Sequence, residues 1–185
     1  MKGKLKWIVI IVIAIIVIGS IAGGSDSNEP KKTGEVATSG TSKNNSADKS
    51  DKKEKNTFQV GDIVETPDLK ISFLSAKKYK SKNKYMQPKK GHIYYRMEFE
   101  FENIGDSDQT ISSMASWHCY ADGYAVDTSY EAGADADDMI DATLSPGKKV
   151  SGAVYYEIPK KSKKITLEFE TNFWSQDKII FVAKK

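Results

Sequence analysis

The chain of 185 residues has one cysteine, Cys119, and two histidines, His92 and His118. A single thiol excludes an intramolecular disulfide, so the folded part must hold itself by core packing. Two separated histidines do not supply the near pairs of Cys and His that a zinc centre needs. No Gly-x-Ser-x-Gly turn is present to carry a nucleophilic serine. No glycine-rich loop is present to cradle a phosphate. There is no Cys near residue 22 to take a lipid and no Leu-Pro-x-Thr-Gly sorting signal. After Gly24 no segment shows a 3.6-residue apolar period, which argues against a helical fold. No internal repeat is visible, which removes solenoids and propellers. The absences point to a protein that is not an enzyme and that has no cofactor.

What is present begins at the N-terminus. Lys2, Lys4 and Lys6 precede an uncharged run over residues 7–24, made mostly of Ile and Val. At about 1.5 Å per residue it spans roughly 27 Å as a helix, against a hydrocarbon core about 30 Å thick. In lipid the helix is enforced, because any other backbone leaves N–H and C=O groups unpaired. The lysines mark the cytoplasmic end, and Trp7 suits the interface. Residues 1–24 are therefore expected to be a single-pass transmembrane signal-anchor in the cell membrane, N-terminus cytoplasmic and C-terminal domain extracellular. The alternative is a cleaved signal peptide, since Ser20-Ile21-Ala22 offers small residues at cleavage spacing.

Residues 25–57 are polar, with almost no large apolar side chain before Phe58. Such a segment buries too little surface to offset its ordering entropy and is expected to be a disordered linker. As a flexible coil its length gives roughly 30 Å root-mean-square reach. The formal charge of +3 is unevenly placed. Residues 1–57 hold ten Lys and six acids, net +4. Residues 58–185 hold eighteen Lys plus Arg and nineteen acids, net −1. A near-neutral folded part lacks the basic face that nucleic-acid binding needs.

From residue 58 onward the pattern is alternation with period two. Ile93, Tyr95, Met97, Phe99 and Phe101 share one face, with Tyr94, Arg96, Glu98, Glu100 and Glu102 on the other. Leu69, Ile71 and Phe73 repeat it, as do Val150, Val154, Tyr156 and Ile158, and then Ile165, Leu167 and Phe169. Shorter candidates cover residues 58–64, 109–112, 117–121, 124–130 and 178–183. Turn residues separate them: Gly61-Asp62, Asn103 to Asp106, Asp122-Gly123 and Pro146-Gly147. Asp122-Gly123 between aromatic runs predicts a tight hairpin. Cys119 is expected inside, on the face shared by Trp117 and Ala121, with His118 on the opposite face. Eight or nine short strands in residues 58–185 favour an all-β antiparallel sandwich, with a closed barrel as the alternative.

Three stretches carry a family resemblance. Lys90-Gly91-His92-Ile93-Tyr94-Tyr95 opens a strand that closes in Phe101-Glu102-Asn103. Tyr120-Ala121-Asp122-Gly123-Tyr124 follows an aromatic strand. Leu144-Ser145-Pro146-Gly147-Lys148 leads through Gly152 to Ile158-Pro159. Together they resemble an immunoglobulin-like extracellular domain family, a domain of unknown function found in Gram-positive lipoproteins and membrane proteins. That family is similar to the mycobacterial secreted immunoprotective antigen. The resemblance implies an immunoglobulin-like β-sandwich over residues 58–185 on the outer cell surface. It implies no catalytic residues. The chain departs from the family in having an apolar run where many members have a lipidated Cys.

Two clusters are candidate sites. Asp135, Asp137, Asp138 and Asp141 lie in one acidic segment, and hard cations such as Ca²⁺ take several carboxylate oxygens. Their spacing does not match an EF-hand, and a solvated acidic loop is the plainer account. Lys80, Lys82, Lys84, Lys89 and Lys90 fall in one loop; Lys160, Lys161, Lys163 and Lys164 fall in another. If strands alternate up and down, both basic loops and the acidic segment meet at one end. That end could recognise an anionic cell-envelope polymer or another surface protein. A deep pocket among Trp117, Tyr124 and Trp174 would instead favour a small ligand. The expected function is a membrane-anchored, non-catalytic binding module of the bacterial cell envelope. The alternative is a secreted, antigen-like protein that carries a small ligand or Ca²⁺.

Overall fold

A computed structural model describes residues 30–36, 56–170 and 178–184. The expected anchor, much of the expected linker, and Trp174 lie outside the described residues. Among those described, no helix is long and apolar enough to cross a membrane.

In chain order the strands are β1 (Lys31–Glu35), β2 (Thr57–Gln59), β3 (Asp62–Glu65), β4 (Leu69–Tyr79), β5 (His92–Asn103) and β6 (Gln109–Ser112). They continue as β7 (Trp117–Ala121), β8 (Tyr124–Val126), β9 (Asp141–Leu144), β10 (Lys149–Pro159), β11 (Ile165–Glu170) and β12 (Lys178–Lys184). A short helix, α1 (Tyr130–Ala136), follows β8. One sheet runs β1-β3-β4-β5-β10 and the other β2-β12-β11-β7-β8, with β6 and β9 as a separate ribbon. Among the described strand pairs only β2 with β12 is parallel.

The alternation seen in sequence decides which faces meet. Phe73 and Phe99 of the first sheet stack at 4.5 Å between ring centroids. Phe99 lies 4.8 Å from Trp117 and 5.1 Å from Phe181, both in the second sheet. Trp117 in turn lies 4.5 Å from Phe169. These rings belong to one buried cluster fed by both sheets, so the molecule is an all-β sandwich and not a closed barrel. Truncating any one of these rings to Ala removes about 3–5 kcal/mol. Cys119 is buried opposite Leu167, and His118 points outward, as the alternation requires.

The turns behave as their residues dictate. Asp122 and Gly123 have φ of 52° and 86°, the left-handed pair that closes a two-residue hairpin with the right twist. Gly147 has φ 75° in the Pro146 turn, where Lys148 N–H donates to Ser145 O at 3.0 Å. Asn103 is fully buried. Its amide donates to Ser107 O at 2.8 Å and Leu144 O at 2.7 Å, tying that end of the sandwich together.

Two expectations need correction. Residues 31–35 were expected inside a disordered linker, but β1 pairs antiparallel with β3. The sheet edge supplies unpaired backbone groups, and a polar strand can add to it without burying apolar side chains. Residues 124–130 were expected as one strand, and no helix was expected after Gly24. In the structure β8 stops at Val126 and α1 begins at Tyr130. Ser129 caps α1 by accepting from Ala132 N, and Asp137 closes it in the left-handed conformation. Seven residues are too few to show a helical period.

Candidate binding surface

Strand order brings the ends of β4 and β10 together with the starts of β5 and β11. His92 pairs with Pro159 where β5 and β10 meet. Beyond them Lys160 N–H donates to Gly91 O at 2.9 Å. The loop 80–91 and the turn 160–164 are thus neighbours. The β7–β8 hairpin joins the same end: Asp122 N–H donates to Lys164 O at 2.8 Å, and Asp122 Oδ1 accepts from the N–H groups of Lys163 and Lys164. The Lys164 amide, before the other contacts, holds the Asp122 carboxyl below its ordinary range. Lys80, Lys82, Lys84, Lys89, Lys90, Lys160, Lys161, Lys163 and Lys164 are all exposed here.

Local hydrogen bonds shape the longer loop. Asn83 N–H donates to Ser81 Oγ at 3.0 Å, Tyr85 N–H to Asn83 Oδ1 at 2.9 Å, and Gln87 Nε2 to Asn83 O at 2.6 Å. They turn Tyr85 outward, where it is 84% exposed. The Lys84 ammonium sits 4.9 Å from the Tyr85 ring centroid.

Beside this loop lies a cleft of about 520 Å³, bounded across from Tyr85 by residues 125–129 and Glu131. Tyr94, His92 and Glu157 line it from β5 and β10. Glu157 Oε1 accepts the Lys89 N–H at 3.0 Å, fixing the loop to the cleft wall. Burial, and then the Glu157 carboxylate, push the Tyr94 phenol above its ordinary value. Sequence reading singled out Tyr94 and His92 only as scattered residues. It read Glu131 only as the start of the acidic segment and did not connect it with Glu157, because no linear motif unites them; the helix that brings Glu131 in was itself unpredicted.

The acidic segment lies beside the lysine-bearing loop, with Glu131 lining the cleft alongside Lys89 and Asp138 sharing a hollow with Lys82. Thr128 bridges to Tyr156, Met139 to Ala153, and Ile140 N–H donates to Ala153 O, so the segment runs along the middle of β10. Asp138 accepts from Arg96 and from the Tyr155 hydroxyl. Asp141 accepts from Ser113 N–H at 2.9 Å and Ser113 Oγ at 2.6 Å. Asp137 caps α1 through its backbone. The carboxylates of Asp138 and Asp141 are thus committed to different partners; Asp135 is placed only as part of α1. Among the described residues no three His, Cys, Asp or Glu side chains gather as a metal site would require. The pocket imagined among Trp117, Tyr124 and Trp174 does not form around the first two. Trp117 is in the core, and Tyr124 is 79% exposed on the hairpin.

Comparison with known proteins places these features in a family. Residues 58–179 match the family described as Domain of unknown function (DUF4352). No curated protein matches. Among solved structures, the yjhA protein from Bacillus subtilis is similar over 68% of this chain and 98% of its own, at 16% identity and a TM-score of 0.52. The candidate lipoprotein ycdA, also from Bacillus subtilis, is similar over 64% of this chain at 12% identity and a TM-score of 0.51. The likeness spans only 37% of ycdA. The secreted protein MPT63 from Mycobacterium tuberculosis is similar over 70% of this chain and 96% of its own, at 14% identity and a TM-score of 0.46. At these identities the likeness concerns the fold.

Proposed function

The chain belongs to the DUF4352 family, and from that premise we propose that it is a non-catalytic binding module of the bacterial cell envelope. Its sandwich is of the immunoglobulin-like kind. The apolar run over residues 7–24 holds it to the membrane, with the sandwich outside the cell. The description of ycdA as a candidate lipoprotein supports a place in the envelope. The ligand is an anionic envelope polymer, met by the lysine-bearing end.

One observation carries this reading. The bond from Lys160 N–H to Gly91 O joins two lysine-rich loops that lie about 70 residues apart in sequence. The folded part is near neutral overall, so gathering its cations at one end makes a local field that the net charge conceals. A non-catalytic role is supported by Cys119, whose thiol is pushed up to about 12, chiefly by burial, and so stays protonated. His118 faces outward, 3.4 Å from Glu170, and does not line the cleft with His92.

The test uses the full chain and isolated cell envelope. Binding should weaken steeply between about 0.15 M and about 1 M salt, as the Debye length falls from about 8 Å to about 3 Å. It should also fail when the nine lysines become Ser. Binding undiminished by either change refutes the electrostatic contact. Protease added to intact cells should remove the sandwich; a protected C-terminal portion contradicts the topology. A mature protein starting near Gly23 would show release in place of anchoring.

A further inference from the structure

The cleft and the basic end demand different things of a ligand, and that difference narrows its chemistry. The rim carries Lys84, Lys90 and Lys160 in the open, which attracts anions. The cleft wall carries Asp127, Glu131 and Glu157, against one ammonium, that of Lys89. A densely charged anion such as polyphosphate would be drawn to the rim and repelled from the cleft. Carboxylates are strong acceptors for hydroxyl groups, and such charge-assisted bonds are roughly twice as strong as neutral ones. Thr128, Ser129 and Gln87 add further donors and acceptors along the same wall. Tyr85 offers a ring that is 84% exposed, a flat apolar face at the mouth of a polar cleft. Polyphosphate has no use for that face, whereas a sugar ring has an apolar side that can lie on it. A volume of about 520 Å³ is within the range that takes a few ring-sized units.

We propose that the cleft beside loop 80–91 is a saccharide subsite: it seats a hydroxyl-rich sugar unit against Tyr85, Glu131 and Glu157, while the rim lysines hold acidic groups spaced along the same chain. The ligand is thus an acidic glycan and not a polyphosphate. This rests on the function proposed above and names the ligand class.

The experiment uses the full chain in detergent micelles and two probes of equal charge. One is an oligosaccharide of alternating uronic acid and N-acetylhexosamine; the other is inorganic polyphosphate. Calorimetry reads binding to the wild type, Tyr85→Ala, Glu157→Gln and the nine-lysine variant. Tyr85 is almost wholly exposed, so its loss leaves folding intact. The saccharide is expected to bind, to lose roughly tenfold in affinity with Tyr85→Ala, and to weaken with Glu157→Gln. Polyphosphate is expected to bind equally to wild type and Tyr85→Ala, and somewhat better to Glu157→Gln. If both probes bind and neither responds to Tyr85→Ala, the subsite is wrong while the basic end stands. If the saccharide depends on Tyr85 but ignores the lysines, the subsite stands and the basic-end function is wrong. If neither probe binds, both fail.

Discussion

Arg96 Nη2 stands 2.5 Å from Asp138 Oδ2, and Arg96 is the only arginine in the chain. All three of its nitrogens donate. Nε donates to the same carboxylate at 3.1 Å and to Tyr155 Oη at 2.9 Å, while Nη1 donates to Glu98 at 2.7 Å. A lysine ammonium cannot serve three directions in one plane. The contact pins the segment after α1 to the outer face of β5 and β10. Removing one partner of a buried pair costs about 3–5 kcal/mol. Here the side chains keep 13% and 34% of their exposure, so Asp138→Ala should cost less, about 1–3 kcal/mol. Urea unfolding measures it. Arg96→Lys should destabilise as well; a neutral result would mean the geometry of the fork is irrelevant.

The same network sets an acid limb. The hydrogen bond from Arg96, and then that from Ser75, hold Glu98 below its ordinary 4.5, although burial pushes the other way. A carboxyl with a depressed folded pKa contributes stability that is present above its unfolded value and is lost as pH falls through the folded one. Stability should therefore decline below about pH 4.5. In Glu98→Gln the decline should be shallower. Equal acid slopes for the two proteins, from melting curves at stepped pH, would show that Glu98 is not a linked group.

Much of the sandwich was legible because one side of each strand is wet. Alternation placed Met97, Phe99 and Phe101 inward without error, and Asp122-Gly123 announced its hairpin. What stayed hidden lies where that rule breaks. Tyr94 and Tyr155 face away from the sandwich core yet are buried, because α1 covers them. Nothing in the period-two pattern foretells a lid made of Ala132, Ala136 and Met139. The course of the acidic segment stayed hidden for the same reason. The expectation assumed a plain loop at a strand end; the chain instead runs along β10 and meets the lysine loop from the side. The pairing of the lysine loops was legible, since it follows from up-and-down strand order alone.

Cys119 supplies a probe of folding. Its thiol is 2% exposed and pushed up to about 12, mainly by burial. Only the thiolate attacks disulfide reagents. A thiol reagent at about pH 8 should leave the native chain unlabelled and label one site rapidly in denaturant. Fast labelling of the native protein would mean that β7 and β11 open readily.

Gly152 is a test of close packing. A Cβ there would lie 2.9 Å from Ile140 Cβ and 3.0 Å from Asp138 O, and neither is the free end of a flexible chain. Gly152→Ala should cost about 1–3 kcal/mol through this overpacking. Gly147→Ala meets nothing within 4 Å but must adopt φ 75°, a left-handed strain of about 1–2 kcal/mol. Only the first should also loosen Asp138 from Arg96. A double variant Gly152→Ala with Asp138→Ala should therefore lose less than the two single losses combined. Full additivity would place the damage elsewhere.

The edge strand β1 makes the last distinction. Of its five residues only Gly34 is half-buried, so it adds almost nothing to the core. Lys32 reaches Asp62 and Glu35, each at 2.7 Å, but these contacts are exposed enough to be worth little. What β1 does is occupy the hydrogen-bonding edge of β3, where Ile63 and Val64 are already buried beneath it. Deleting residues 30–36 should lower the melting temperature by only a few degrees. It should also create an unpaired edge, and concentration-dependent association should follow. Sedimentation of the deleted and intact chains over a range of concentrations separates the two effects. A large thermal loss would make β1 part of the folding core. A small loss without association would mean that β3 needs no cover.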